Sequence, residues 1–195
     1  MNQEERIELF RQTTAFLSGH FLLHSGLHAD KYVAKRRLYS SPRKVKELCL
    51  EITKHFRDLE VQAVASPAVG GVALSQWVGI HFADLLGREV PAVFVEKDED
   101  NPREFKFSEG CGDFIVGKKT LLVDDVLTTG GSIEAARRAI IKAGGTVIAV
   151  AVLWQRCEKI ELDVPFYALI HKVFPSWAPP ECPLCAKNIP LIKPH

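Results

Sequence analysis

Apolar residues recur along this chain with two periods, and the changes between them divide it into segments. Ile7, Phe10, Thr14 and Leu17 fall on one helical face, which Ser18-Gly19 closes. The stretch from Phe21 to Val33 is mixed and interrupted by glycine, which predicts an irregular cap. Ser41-Pro42 reads as a helix start with proline in the first turn, and Val45, Leu48, Ile52, Phe56 and Leu59 carry that helix to about Leu59. Regular alternation follows, with a strand at Val61 to Ala65, a helix from about Val72 to Leu86 closed by Gly87, and a strand at Val90 to Val95. It repeats as a strand at Thr120 to Val123, a helix from about Ser132 to Ala143 stopped by Gly144-Gly145, and a strand at Thr146 to Trp154. A last strand is predicted at Phe166 to Ile170.

Strands that are apolar along their whole length and joined by helices imply a parallel sheet covered on both faces. The predicted class is therefore α/β, with a central parallel sheet and helices on both faces. The length suits a single domain over residues 1–195, in which residues 1–40 and the C-terminal tail form a small cap. Glu96 to Lys119 carries neither period and is rich in charge and glycine, as a functional lid would be. The proline-rich tail after Phe174 predicts an extended peripheral segment.

Charge and cysteine content narrow the function classes. A net charge of +1 offers no bulk attraction to nucleic acid or to a membrane. The uncharged run from Thr146 to Trp154 is far shorter than the ~20 residues of a membrane helix, and Met1 to Arg11 is too charged for a signal peptide. A cytoplasmic protein is expected. The five cysteines are an odd number and Cys49, Cys111 and Cys157 are scattered, which predicts reduced thiols.

The chemistry concentrates at Leu121 to Ser132. Asp124-Asp125 end a predicted strand, where an open parallel sheet binds ligands. Two adjacent carboxylates cost repulsion and desolvation unless something compensates, which a ribose diol plus a nearby divalent cation would do. Thr128, Thr129, Gly130, Gly131 and Ser132 then supply hydroxyls, a flexible backbone and a helix start, whose free N–H groups suit a phosphate. A capped turn with no ligand would use some of these residue types, but not the whole order without a gap. The segment is neither a Walker loop nor a GxGxxG fingerprint.

LLVDDVLTTGGS, including Val126 and Leu127, resembles the signature of the type I phosphoribosyltransferases, which bind 5-phosphoribosyl-1-pyrophosphate (PRPP) with magnesium. The resemblance implies that Asp124 and Asp125 hold the ribose hydroxyls and that Thr128 to Ser132 cradle the 5′-phosphate. Ser66 to Gly71, with Ala68, Val69, Gly70 and Gly71, is similar to the family's pyrophosphate loop. Phe21 to Tyr32 resembles the N-terminal segment of the orotate phosphoribosyltransferases, which implies base contacts from Gly26 and Tyr32. Arg156 is similar to the arginine near the orotate carboxylate, and Thr128 would reach the base as well. The ending Glu181 to Cys185 with Ile189-Pro190-Leu191 resembles the Thermus-type subgroup. His24 stands where many orotate enzymes have lysine, no lysine lies near Gly70, and the lid lacks the family's Lys-Asp-His-Gly-Glu-Gly. Lys97, Arg103, Lys106, Lys118 and Lys119 remain as lid cations, with Lys97 the best aligned on the leaving pyrophosphate.

The expected reaction is Mg-dependent transfer of ribose 5-phosphate from PRPP to orotate. Salvage of a purine or another base, and a non-catalytic PRPP regulator, stay open as alternatives. A homodimer is implied by the resemblance alone. His20, His24 and His28 would align on a continuous helix, but Ser25-Gly26 argues against one, so they read as cap-packed or solvent-facing. Cys182 and Cys185 have zinc-ligand spacing yet make half a site. Completion by His171, His195 or a second subunit is the weaker reading, and a reduced, non-ligating pair the stronger.

Overall fold

The structure is a computed structural model and describes residues 1–23 and 25–194, so His24 and His195 lie outside it. Helix α1 (Gln3–Gln12) begins at Asn2, where the Asn2 side chain accepts from the Glu5 N–H and the Glu5 carboxylate accepts from the Asn2 N–H. It ends before Thr14, which takes φ +53°, so the continuation predicted through Leu17 is not helical. Phe16 instead opens strand β1 (Phe16–Leu22), which pairs antiparallel with β2 (His28–Val33). The segment predicted as an irregular cap is thus mostly regular sheet. A register shift between Ser18 and Phe21 breaks the period-two pattern that would have revealed it.

A single-turn helix α2 (Lys35–Leu38), absent from the sequence pattern, leads into α3 (Pro42–His55), four residues shorter than predicted. Then come β3 (Ala63–Pro67), α4 (Val72–Leu86), β4 (Ala92–Lys97) and the two-residue β5 (Phe105–Lys106). After a 3-10 turn at Cys111–Ile115 follow β6 (Lys119–Leu127), α5 (Gly131–Lys142), β7 (Thr146–Gln155) and β8 (Phe166–His171). The tail holds β9 (Ser176–Trp177) and the short α6 (Pro183–Ala186).

The main sheet has the order β5-β4-β3-β6-β7-β8, parallel throughout except for β5 at its edge. Alternate residues of one strand face opposite layers, which explains why these strands are apolar at nearly every position. Val64, Leu121, Val123, Ala149, Ala151 and Leu153 pack with residues of α1, α3 and α4. Ala63, Ala65, Leu122, Val150 and Val152 pack with α5 through Ile133, Ala136 and Ile140. The predicted α/β class with both faces covered is what the structure has.

The smaller sheet, ordered β1-β2-β9, brings the two ends of the chain together. His28 pairs with Trp177 across it, and the Leu22 N–H donates to the Ile192 carbonyl at 2.9 Å. The tail is therefore less peripheral than predicted, and Cys182 is buried. Below this cap Trp154 is fully buried, edge-on to Phe10 at 5.1 Å and stacked on Phe16 at 5.8 Å. That aromatic cluster anchors the end of β7, two residues before Arg156.

Candidate active site at the carboxyl ends of the sheet

The chain leaves the main sheet at one edge through three adjacent strand ends, those of β3, β6 and β7. Asp124 and Asp125 lie in the second half of β6 and are both buried. The Asp125 N–H donates to Asp124 Oδ1 at 2.7 Å, and the Val126 N–H donates to Asp125 Oδ1 at 2.6 Å. Lys35 Nζ, from the short α2, pairs with Asp125 Oδ1 at 3.0 Å. Burial, and next the charge of Asp125, hold the Asp124 carboxyl well above the ordinary carboxylate range, while Lys35 opposes them. Asp125 Oδ2 is buried and has no hydrogen-bond partner among the described residues. A buried acceptor left in that state is expensive, and a hydroxyl donor from a ligand would relieve it.

The loop after β3 closes over this pair. The Ala68 N–H donates to the Val95 carbonyl at 2.7 Å, and the Ala68–Val69 peptide is cis. Gly70 lies so near the acid pair that a Cβ on it would sit 2.0 Å from Asp125 Oδ2. The Tyr39 hydroxyl donates to the Gly70 carbonyl, which ties α2 to the loop. Burial and then the charges of Asp125 and Asp124 push the Tyr39 phenol far above its ordinary range, so it remains a donor.

On the other side of β6, Thr128, Thr129, Gly131 and Ser132 are exposed. Gly130 precedes α5 at φ +84°, a conformation that favours glycine, and no side chain caps this helix start. The amino end of α5 is thus open to an anion. The Arg156 N–H donates to the Leu127 carbonyl at 2.8 Å, joining the end of β7 to the start of this loop. The Arg156 guanidinium is half-buried; burial pulls its pKa down, and the nearby Tyr32 phenol acts in the opposite direction. Tyr32 in turn packs on Phe21 at 5.5 Å. Gly26 lies in the turn between β1 and β2, where its N–H donates to the Leu23 carbonyl at 2.9 Å.

Direct contacts link these groups at the carboxyl ends of β3, β6 and β7: a buried acid pair, two small-residue loops, an open helix start and an arginine beside an aromatic ring. Comparison with known proteins agrees with this arrangement. The family model described as the phosphoribosyl transferase domain matches residues 36–176. The chain belongs to the phosphoribosyltransferase family. The orotate phosphoribosyltransferase of Caldicellulosiruptor bescii is 34% identical over 200 residues, covering 100% of this chain and 97% of that protein. That of Desulforamulus reducens is 36% identical over 198 residues, with coverage of 100% and 97%. The crystal structure of Mycobacterium tuberculosis orotate phosphoribosyltransferase in complex with PRPP has a TM-score of 0.65 at 23% identity, covering 86% of this chain and 96% of that one.

Within this phosphoribosyltransferase the segment predicted as a lid is more ordered than expected. Glu96 and Lys97 pair with Lys106 and Phe105 in a β4–β5 hairpin, and Glu104 makes a two-pronged contact with Arg138 of α5 at 2.9 and 3.1 Å. Lys106 is held by Asp98 at 3.0 Å. Lys97 and Arg103 have no ion pair among the described residues, and Lys97 stands at the carboxyl end of β4, the side of the acid pair. Lys118 and Lys119 do not belong to the lid. They stand at the amino end of β6, about 16 Å of strand from Asp124, and Lys119 pairs with Glu60. A cleft of about 700 Å³ lies between the hairpin and α5, lined by Phe105, Phe107, Arg138 and Ala139, and contains none of the acid pair.

Lys35 and Tyr39 were missed by sequence reasoning. Both fall in the four-residue α2 and its flank, too short for any period, and only their contacts to Asp125 and Gly70 identify them.

Proposed function

We infer that this phosphoribosyltransferase transfers ribose 5-phosphate from PRPP to N1 of orotate, giving orotidine 5′-monophosphate and pyrophosphate. The observation that carries the choice of base is Arg156, half-buried beside Tyr32 and bonded through its backbone to the phosphate-facing loop. A guanidinium there is shaped for a carboxylate, and a flat aromatic ring beside it suits a planar pyrimidine. The full-length relatives at 34–36% identity support the same substrate.

In this reading Asp124 and Asp125 accept from the ribose hydroxyls, and the unpartnered Asp125 Oδ2 is satisfied by one of them. Thr128 to Ser132, with Val126 and Leu127 leading in, and the open start of α5 hold the 5′-phosphate. Ala68 to Gly71 receive the pyrophosphate, Lys97 adds a cation to it, and Gly26 and Thr128 face the base. Magnesium carried by PRPP fits the donor set of two adjacent buried carboxylates. When bound it neutralises charge on the pyrophosphate. As the C1′–O bond weakens, negative charge grows on the leaving group and positive charge on the sugar. Catalysis is then positioning and electrostatics, with no covalent nucleophile. The chain acts as one unit in which residues 1–40 and the tail cap the base side. It works as a homodimer in the cytoplasm on small molecules, without nucleic acid or membrane, and no helix among the described residues is long and apolar enough to span one.

The test is pyrophosphate release from Mg–PRPP with a panel of bases. Orotate alone is expected to turn over. Turnover of a purine in its place, or tight PRPP binding with no turnover of any base, would overturn the reading.

A further inference from the structure

The cap holds a second chemical constellation, which the reaction does not use. His20 of β1, His28 at the start of β2, and Cys182 and Cys185 at the start of α6 converge, with their ligand atoms all within 4.8 Å of one another. His20 Nε2 lies 2.9 Å from His28 Nδ1, 3.5 Å from Cys182 Sγ and 3.7 Å from Cys185 Sγ, and Cys185 Sγ lies 3.2 Å from His28 Nδ1. Four ligands around zinc, at about 2.0–2.1 Å for nitrogen and about 2.3 Å for sulfur, form a tetrahedron with edges of roughly 3.3 to 3.8 Å. Four of the cluster's six edges measure 2.9 to 3.7 Å and none exceeds 4.8 Å, so the four groups approach that figure before any metal enters.

The tautomer is also set for a ligand. His20 Nδ1 is 2.7 Å from the Ile189 carbonyl, which can only accept, so Nδ1 carries the proton and Nε2 turns its lone pair into the cluster. A histidine fixed in this way by a carbonyl is the usual outer support of a metal site. His20, His28 and Cys182 are buried, and among the described residues no carboxylate or cation belongs to the cluster. Two thiolates exactly balance the charge of a divalent ion, which makes the filled site neutral and fit for burial. Two sulfurs and two nitrogens in tetrahedral array select zinc over the oxygen-loving magnesium.

We propose that His20 Nε2, His28 Nδ1, Cys182 Sγ and Cys185 Sγ bind a structural zinc ion that staples the C-terminal tail onto the β1–β2 cap. Binding displaces the two thiol protons to solvent, while both imidazoles enter as neutral donors. The completing ligands are neither of the described partners expected from sequence: His171 Nε2 is engaged with the Cys157 carbonyl at 3.2 Å, and no second subunit is needed. The staple links residues 162 positions apart, and His28 directly follows the turn that carries Gly26. The site stands independently of the base assigned to the enzyme, so metal content remains decisive even if orotate does not turn over.

The test is metal analysis of the full-length protein purified under reducing conditions without chelator, with X-ray absorption at the zinc edge. One zinc per chain, retained through gel filtration in EDTA and bound by two sulfurs and two nitrogens, is expected, and Cys182→Ser/Cys185→Ser should lose it. Should that variant fail to fold, cobalt(II) added to metal-stripped wild-type protein gives an independent reading: thiolate-to-cobalt charge transfer with tetrahedral d–d bands. Zinc below about a tenth of an equivalent together with no tetrahedral cobalt spectrum would overturn the proposal. So would a Cys182–Cys185 disulfide in the fresh protein, or a zinc shell of oxygen ligands.

Discussion

Gly70→Ala tests whether the loop after β3 and the acid pair form one site. The added Cβ would lie 2.0 Å from Asp125 Oδ2, 2.8 Å from its Cγ and 3.3 Å from Oδ1, where ordinary contact begins near 3.4 Å. Something must therefore move by about 1.4 Å. Neither side is free: Lys35 Nζ and the Val126 N–H hold Asp125 Oδ1, and the Tyr39 hydroxyl holds the Gly70 carbonyl. Whichever yields, the carboxylate for the ribose or the cradle for the pyrophosphate is displaced by more than 1 Å. Misplacement of that size costs about 100-fold in rate, or about 2.7 kcal/mol of transition-state stabilisation. In steady-state pyrophosphate release, kcat/KM for PRPP should fall by about that factor, while the KM for orotate changes little. Gly70 is half-exposed, so the melting temperature should drop by only a few degrees. A kcat/KM for PRPP within about threefold of the parent would refute the reasoning, as would a loss that merely follows the unfolded fraction.

Two further substitutions separate the roles assigned around the site. Arg156→Ala should raise the KM for orotate by about 30-fold or more and leave the KM for PRPP near the parent value, since a buried charged partner is worth roughly 2–5 kcal/mol; equal changes in both would remove Arg156 from the carboxylate role. Asp124→Asn should abolish most turnover yet stabilise the ligand-free protein at alkaline pH. The Asp124 pKa is raised on folding, so the folded state binds the extra proton, and stability falls as pH rises from the ordinary value of 3.8 through the raised one. The asparagine removes that dependence, so the gain in melting temperature should be absent near pH 4 and grow with pH. A gain that does not change with pH would contradict the buried, protonated Asp124.

What the sequence made legible follows from how local each signal is. Helix α4 was bounded at both ends by its apolar face and by Gly87 at φ +63°, and the five parallel strands were located because a strand buried on both faces is apolar throughout. Each of these signals lies within one segment. The cap was misread because its strands are short, bulged between Ser18 and Phe21, and carry buried histidines where a hydrophobic period would be sought. The helix predicted through Leu17 failed for the related reason that Phe16 and Leu17 suit a helical face and a strand equally well, and Thr14 at φ +53° decided between them.

The same distinction governs the two chemical sites. Asp124 to Ser132 is one uninterrupted strand, turn and helix start, so the chain order alone marked it as the candidate phosphate site, which the resemblance then narrowed to the proposed PRPP site. The proposed base side draws Tyr32 from β2 and Arg156 from beyond β7, residues with no signal of their own until a resemblance supplied one. The four residues of the cap cluster represent the far limit: each half was visible as a spacing, the histidines being discounted because Ser25-Gly26 argues against a helix through them, and the cysteines because they make only half a site. Histidines eight apart do not share a helical face, but in the antiparallel β1–β2 hairpin His28 pairs opposite Leu22, two residues from His20, which makes the two histidines diagonal neighbours on adjacent strands. The pairing of β2 with β9, together with the backbone bonds between β1 and Ile192, carries the tail's cysteines to them. A spacing rule that assumes a helix will therefore overlook ligands that a hairpin brings together, and the zinc content of the purified protein decides whether these four were overlooked.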